Sequence, residues 1–313
     1  RDSSRYMWDS ATLKWRSHDL KFSGRDEVAA GVSKFTAEVS AGDDLTGDWD
    51  QEWKDKVTAA NDRTFKQVAV GPSPISNSSY NAAIKVIKAK MKKAPGIDMV
   101  TNWMLVWGES ALRGPLVSLF ENMWKNNVVP EGIAQSRVAY IYKGKGPMAE
   151  ISGYRPISLI SCIGKLYTLL WLRPLVEQVS PHIGPAQGAF RKGTSAVEQA
   201  WAIMEMAHEQ VGVEESDPHV MLTDLEKCYD GIWRQGLYLM LSSMGVEQSF
   251  LLNIRAWLEN TVMHPEWNGV TGPPVTPKEG LKQGCVLSPI LCIVFMNSWS
   301  ADLPNVPMHP WVR

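Results

Sequence analysis

The residue best placed to do chemistry is an aspartate after an apolar run. In VMLTDLEKCYDGIW (220–233) the apolar residues predict a short strand over His219–Leu225, with Asp224 near its end, where the chain turns towards a helix. A carboxylate so placed can reach a site outside the sheet. Mg2+ suits it, because that ion takes oxygen ligands and commonly accepts one or two protein carboxylates, with phosphates and waters completing its shell. Taken alone, an aspartate after an apolar strand is more often a helix cap or a surface acid. A second segment, EGLKQGCVLSPILCIVF (279–295), has a different logic. Gly284 lets backbone approach a ligand closely or adopt a positive φ. Ser288-Pro289 predicts a helix start, with serine as cap and proline in the first turn.

These segments and three others resemble, in order, the motifs of reverse transcriptases of the non-LTR (LINE-like) retrotransposon type. DLEKCYD (224–230) is similar to that family's motif A, DL-x-KAFD, with Cys228 in place of the common alanine. The resemblance implies that Asp224 is the catalytic metal ligand and that Tyr229 lies under the incoming sugar, where its ring would clash with a 2′-hydroxyl; Tyr229 could equally be core. Asp230 is expected to be structural. Nucleotidyl transfer in this family uses two Mg2+ (or Mn2+) ions about 4 Å apart. The 279–295 segment resembles motif B, GV-x-QG-x-x-LSP, through Gly280, Gln283, Gly284, Leu287, Ser288 and Pro289, with Val286 where proline is frequent. The resemblance implies that this loop, Ser288 and Pro289 included, lies against the template and nascent base pair, with Gln283 and Gly284 near the nucleotide. RVAYIYKGKG and GYRPISLIS, within 137–161, resemble two fingers motifs and imply a triphosphate grip by Lys143 (or Lys145) and Arg155. The guanidinium fork matches pairs of phosphate oxygens, and a lysine supplies a point charge. PAQGAFRKGTSAVEQ (185–199) resembles Q-x-GFR-x-G-x-S and implies template or primer contacts from Gln187, Phe190, Arg191 and Gly193, although Phe190 could also be core. KKAPGIDMV (92–100) resembles KAPGPDGI, with Ile97 for proline and Met99 for glycine.

The resemblance implies an α+β right-hand polymerase fold: helix-rich fingers with short antiparallel sheets, and a palm. The expected division is a helical extension or linker over 1–70, fingers over 71–215 and a partial palm over 216–313. It also implies an RNA-directed DNA polymerase, a nucleotidyltransferase working on an RNA template, a DNA primer and deoxynucleoside triphosphates. The family completes its metal site with motif C, an aromatic-x-Asp-Asp hairpin, and none occurs in ADLPNVPMHPWVR (301–313). One carboxylate cannot hold two metals, so this chain is expected to be inactive alone and to leave a sheet edge exposed. A catalytically dead, maturase-like RNA-binding relic is the competing expectation.

The elements that must position these residues are readable from periodicity. Helices are expected over 26–40, 50–67, Tyr80–Lys92 (capped by Ser78 or Ser79), Glu109–Asn126, Gly164–Val179, 195–211, Gly231–Met244, Ser249–Asn260 and Ser288–Asp302. Strands are expected at 136–143 and 154–161, and a hairpin near Asn268-Gly269 or Thr271-Gly272. Asp43-Asp44, flanked by Gly42, Thr46 and Gly47, reads as an acidic turn and not a metal pair.

The 313 residues suffice for a substantial core, and 44% apolar with 21% charged residues is ordinary for a globular chain. Net charge is −1, so any nucleic-acid surface must be local. Lys85, Lys88, Lys90, Lys92 and Lys93 fall together with no acid, and Arg137 to Arg173 contains Glu150 alone. Cys162, Cys228, Cys285 and Cys292 form no C-x-x-C pair and have no histidine at zinc spacing, which predicts reduced, buried thiols. No signal peptide is visible and no apolar run reaches the ~18 residues a membrane span needs. An intracellular protein of the nucleus or cytoplasm, cut from a longer product because it starts at Arg1, is expected.

Overall fold

A computed structural model describes residues 10–15, 18–23, 25–40, 51–66, 72–148, 150–185, 187–214, 222, 224, 225, 227–267 and 269–301. These form an α+β fold, rich in helix with a small mixed sheet. The Asp43-Asp44 turn lies outside the described residues. So does most of the strand expected before Asp224; Leu222, Asp224 and Leu225 have no regular structure.

The chain opens with an antiparallel hairpin, β1 (Ser10–Trp15) and β2 (His18–Ser23), followed by α1 (Arg25–Ser40) and α2 (Gln51–Lys66). Next come α3 (Asn77–Lys88), α4 (Asn102–Trp107), α5 (Glu109–Asn126) and the single turn α6 (Glu131–Ala134). Helix α3 starts earlier than expected. Its cap is Ser76, in a capping box with Ser79, which satisfies two otherwise orphaned backbone donors and fixes the entry. It stops at Lys88, and residues 89–93 turn. Helix α5 has the expected bounds and ends at Asn127 in the left-handed conformation that asparagine tolerates.

The sheet order is β4 (Tyr154–Ile160), β3 (Gln135–Tyr142), β5 (Val262–Trp267), β6 (Val270–Thr271). Strands β3 and β4 are antiparallel, β3 and β5 parallel, β5 and β6 antiparallel. Trp267 pairs with Val270, so the hairpin turns between them, with Gly269 at φ 77°. The remaining helices are α7 (Cys162–Val179), α8 (Ala196–Glu214), α9 (Arg234–Ser243), α10 (Gln248–Glu259) and α11 (Ser288–Ala301).

Helix α7 is the axle of the core. Ser161 caps it by accepting from the amides of Ile163 and Gly164 at 3.1 and 3.2 Å. Tyr167, Leu170, Trp171 and Leu175 are fully buried, as expected of a helix that is apolar around most of its circumference. Trp171 and Tyr167 pack among Trp124, Phe250 and Trp257, and the Trp124 and Phe250 rings meet edge-on at 4.9 Å. Asn253 serves this aromatic core. It accepts from the Tyr167 hydroxyl at 2.8 Å and donates to the Trp124 carbonyl at 3.1 Å, so its polar atoms are not stranded. Truncating Trp171 to alanine would cost about 3–5 kcal/mol.

Helices α1 and α2 pack onto the rest. Asn61 donates to the Gln235 carbonyl at 2.9 Å, while Val32 and Phe35 of α1 cover Tyr154, Trp267 and Ile151 on one face of the sheet. All four cysteines are unbonded, with the Cys228 and Cys292 sulfurs 3.8 Å apart.

Candidate nucleotidyl-transfer site

Two segments distant in sequence cross at the candidate site. The first runs from Asp224 into a tight coil. Lys227 adopts φ 53°, and its carbonyl accepts from the amides of Asp230 and Gly231, both at 2.9 Å. The second, 279–284, lies against that coil: Leu281 donates its amide to the Tyr229 carbonyl at 2.7 Å, and Gly280 to the Ile232 carbonyl at 2.8 Å. Gly280 sits at φ 80°, and a Cβ there would fall 2.6 Å from the Asp230 carbonyl oxygen, so only glycine lets the backbones meet. Buried Arg234 fastens the crossing by donating to the carbonyls of Pro277 and Gly280, both at 3.0 Å, while its amide donates to the Glu279 carboxylate at 2.7 Å. Burial lowers the Arg234 pKa and raises that of Glu279.

The crossing is tied to β4. The Ser158 amide donates to the Gln283 carbonyl at 2.7 Å. Gly284, exposed and at φ 114°, would place a Cβ 2.6 Å from the Ser158 carbonyl oxygen. Beside it, the Gln283 side-chain amide donates to Asp230 Oδ2 at 3.1 Å. Burial pushes the Asp230 carboxyl up to about 6, against the opposing pull of Gln283, Lys227 and Lys143. Asp230 and Gln283 line a pocket with Phe35, Thr36, Tyr140 and Ser158, and the Thr36 and Tyr140 hydroxyls are hydrogen-bonded. Burial raises the Tyr140 phenol far above its ordinary range. The sequence marked neither Phe35, Thr36 nor Tyr140. The signal available was the spacing of Val32, Phe35 and Thr36 on one face of α1, which identifies a packed face but not what it covers.

Ser288 departs from expectation. It opens α11, but its hydroxyl donates to the Lys282 carbonyl at 2.7 Å, closing the 282–288 loop instead of capping an amide. The Leu287 carbonyl takes the first helical bond, from Leu291 at 3.1 Å. Pro289 follows Ser288 in the first turn. Lys282 itself is fully buried: its ammonium donates to the Ala134 carbonyl at 3.3 Å and lies 4.7 Å from the Trp257 ring centre. Burial pushes its pKa down to about 8.

Tyr229 is half-buried against the main core, and burial first, then the neighbouring Cys292 and Cys228 thiols, push its phenol up to about 12. Lys143 and Arg155 sit near one end of the β3–β4 hairpin. Arg155 pairs with Ile141, and strand alternation puts it on the face opposite Tyr140 and Pro156, which line the pocket. Its guanidinium is exposed and has no partner among the described residues. Lys143 is also exposed and donates to the Ser152 carbonyl at 2.9 Å. Lys145 is exposed between Gly144 and Gly146, both at positive φ.

In the 187–193 loop, Gln187 accepts from the Ala189 amide at 3.2 Å. The Arg191 guanidinium donates to the carbonyls of Gly184 and Gln187 at 2.9 and 3.2 Å, so it braces its own loop. Phe190 adopts φ 53° and is 68% exposed, which rules out the core alternative; Gly193 sits at φ 83°. Asn297 of α11 accepts from the Gly184 amide at 2.8 Å and donates to the His182 carbonyl at 3.0 Å, holding this loop to the helix after 279–287.

Asp224 is exposed, and no hydrogen bond engages its carboxylate among the described residues. It therefore offers a hard oxygen ligand. Asp230 is committed to Gln283, and no cluster of three or more His, Cys, Asp or Glu side chains among the described residues could hold a metal. The donor set fits a divalent cation as one ligand of an incomplete set.

A family model described as "Reverse transcriptase (RNA-dependent DNA polymerase)" matches residues 141–310. The "RNA-directed DNA polymerase from mobile element jockey" of Drosophila funebris is 27% identical over 252 residues, covering 80% of this chain and 26% of that protein. The jockey protein of Drosophila melanogaster is 27% identical over 223 residues, 70% of this chain and 24% of its own. The "Probable RNA-directed DNA polymerase from transposon BS" of Drosophila melanogaster is 26% identical over 240 residues, 76% and 26% respectively. The chain spans about a quarter of the length of the curated relatives it matches.

Proposed function

This chain belongs to the reverse transcriptase (RNA-dependent DNA polymerase) family, and from that membership we propose that the protein it comes from is the RNA-directed DNA polymerase of a non-LTR retrotransposon. The observation that carries the proposal is the bonded crossing of Tyr229–Ile232, a few residues after Asp224, with the Gly280–Gly284 loop, tied to β4 through Ser158. It joins in space three of the five segments whose sequences carry the resemblance.

In this reading residues 71–215 are fingers, residues 216–313 are part of the palm, and 1–70 is a linker or helical extension, whose helix α1 packs against residues of both. Asp224 is the catalytic aspartate and would be one ligand of a bound Mg2+ (or Mn2+). Bound metal would supply Lewis-acid stabilisation of the triphosphate and activation of the primer hydroxyl. Arg155, exposed on the sheet face opposite Tyr140, and Lys143 bind the triphosphate. Tyr229 excludes the ribose 2′-hydroxyl, Gln283 and Gly284 border the nucleotide, and Gln187, Phe190, Arg191, Gly193, Ser288 and Pro289 lie along the RNA template and DNA primer. Among the described residues no helix is long and apolar enough to cross a membrane; nucleus or cytoplasm is the proposed location.

The test is primer extension on an RNA template with Mg2+, using the chain with its downstream coding sequence and an Asp224→Ala control. Activity lost in the control is the expected result, and equal activity in both would refute the role of Asp224. The 313-residue chain alone is proposed to be inactive, since two ions need more than one carboxylate; extension above its own Asp224→Ala background would overturn that.

A further inference from the structure

The described surface carries an aromatic patch that the polymerase site does not use. Helix α4 starts at an ordinary cap, where Thr101 accepts from the Met104 amide at 3.3 Å, but it buries only Asn102 and Leu105 well. Trp103, Met104 and Trp107 are 47%, 57% and 76% exposed. The two indoles lie one turn apart with ring centres 5.8 Å from each other and planes inclined by 30°. Large apolar groups exposed together mark an interaction surface, and tryptophan in particular supplies a flat π-face.

What sits beside the patch indicates its partner. Buried Asn102, the first residue of α4, donates to the Lys90 carbonyl at 2.7 Å, so the helix begins against the lysine-bearing end of α3. Lys85, Lys88, Lys90, Lys92 and Lys93 are all exposed, with no acid among residues 85–93. Among the described residues none of the five has an ion-pair partner. The turn that joins lysines to tryptophans is closely packed: a Cβ on Gly96 would lie 2.6 Å from the Ser161 amide nitrogen, so backbone packs on backbone there.

We infer that Trp103 and Trp107, with the adjacent lysines, form a stacking platform for single-stranded RNA, outside the residues assigned to catalysis. Unpaired bases stack on aromatic faces while lysines meet the phosphates, with little sequence preference and strong salt dependence. The rings are too close and too tilted to admit a base between them, so stacking is on their outer faces. An apolar protein partner would have no use for the five lysines. The inference rests on the polymerase reading only in its choice of RNA.

The experiment measures anisotropy of an end-labelled, unstructured RNA of about 12 nucleotides titrated with the whole chain across a salt series. Trp103→Ala/Trp107→Ala should weaken binding by roughly tenfold or more, since stacking contributes about 1–3 kcal/mol per base. Lys92→Glu/Lys93→Glu should flatten the salt dependence, by about 0.7 in log–log slope for each phosphate no longer neutralised. Thermal melts should match the parent, because these side chains are exposed. Affinity within twofold of the parent for the double tryptophan variant overturns the platform and leaves the polymerase reading standing. A parent chain without RNA affinity overturns the platform and weakens the reading as well. Displacement of the RNA by polyglutamate, with the same tryptophan dependence, would instead make this a docking surface for an acidic protein.

Discussion

Asp230→Asn should make the protein more stable at neutral pH. Folding raises this carboxyl from 3.8 to about 6. At 1.36 kcal/mol per tenfold change in the proton equilibrium, ionising it in place costs roughly 3 kcal/mol. Some water reaches the group, so about 1–3 kcal/mol is the working range. The sign follows from linkage: a carboxyl with a raised folded pKa contributes most below about 4, and that contribution fades as pH rises through about 6. The amide is neutral throughout and keeps an oxygen to accept from Gln283, so parent and variant should coincide near pH 4 and diverge up to about pH 7. Urea titrations at pH 4.5, 5.5, 6.5 and 7.5 would read the gap directly. Parallel curves, or a variant less stable at pH 7, would refute the reasoning, because the positive charges of Lys227 and Lys143 would then outweigh burial.

Lys282→Met should also stabilise near pH 7, by about 1 kcal/mol or more, because a fully buried ammonium is replaced by an apolar chain of similar shape. With the folded pKa depressed to about 8, the native lysine's deficit is absent above about 10.5, grows as pH falls and is complete by about 8, so the advantage should vanish at high pH in the same titration. Gly284→Ala should cost about 2 kcal/mol or more in urea, through overlap with the Ser158 carbonyl at φ 114°; a loss under 0.5 kcal/mol would mean that the loop yields easily. Tyr229→Ala, in a protein carrying the complete metal site, should relax discrimination against ribonucleotides by tenfold or more in single-nucleotide incorporation. Unchanged selectivity would place the gate elsewhere.

Much of the helical framework was legible because long amphipathic helices carry their own signals. The α5 stripe of Leu112, Leu116, Leu119 and Met123 located that helix to the residue, even though Leu112 ends up at the surface. Short elements carried less: α4 and α6 are too brief for periodicity to register, and the β1–β2 hairpin lacks a recognisable turn signal. The cap of α3, expected at Ser78 or Ser79, was misplaced by two or three residues because Ser76, Ser78 and Ser79 are chemically equivalent in sequence. Parallel pairing of β3 with β5 depends on residues more than a hundred positions apart, which no local pattern reports. At the site, Asp224 and Gly284 were marked by type and spacing. The Gln283–Asp230 bond and the lid formed by Phe35 and Thr36 exist only through tertiary packing. Met99 stands where the resembled motif has glycine and does adopt φ 56°, so the backbone shape persists with a residue that fits it poorly.

The Ser158 junction has a mechanical consequence. With the Ser158 amide bonded to Gln283 and its carbonyl pressed against Gly284, β4 cannot slide along its axis without breaking a bond or forcing an overlap. A shift of β4 along its axis would therefore displace the 283–284 loop with it. Because the Gln283 side chain also holds Asp230, such a shift would carry through to that carboxylate.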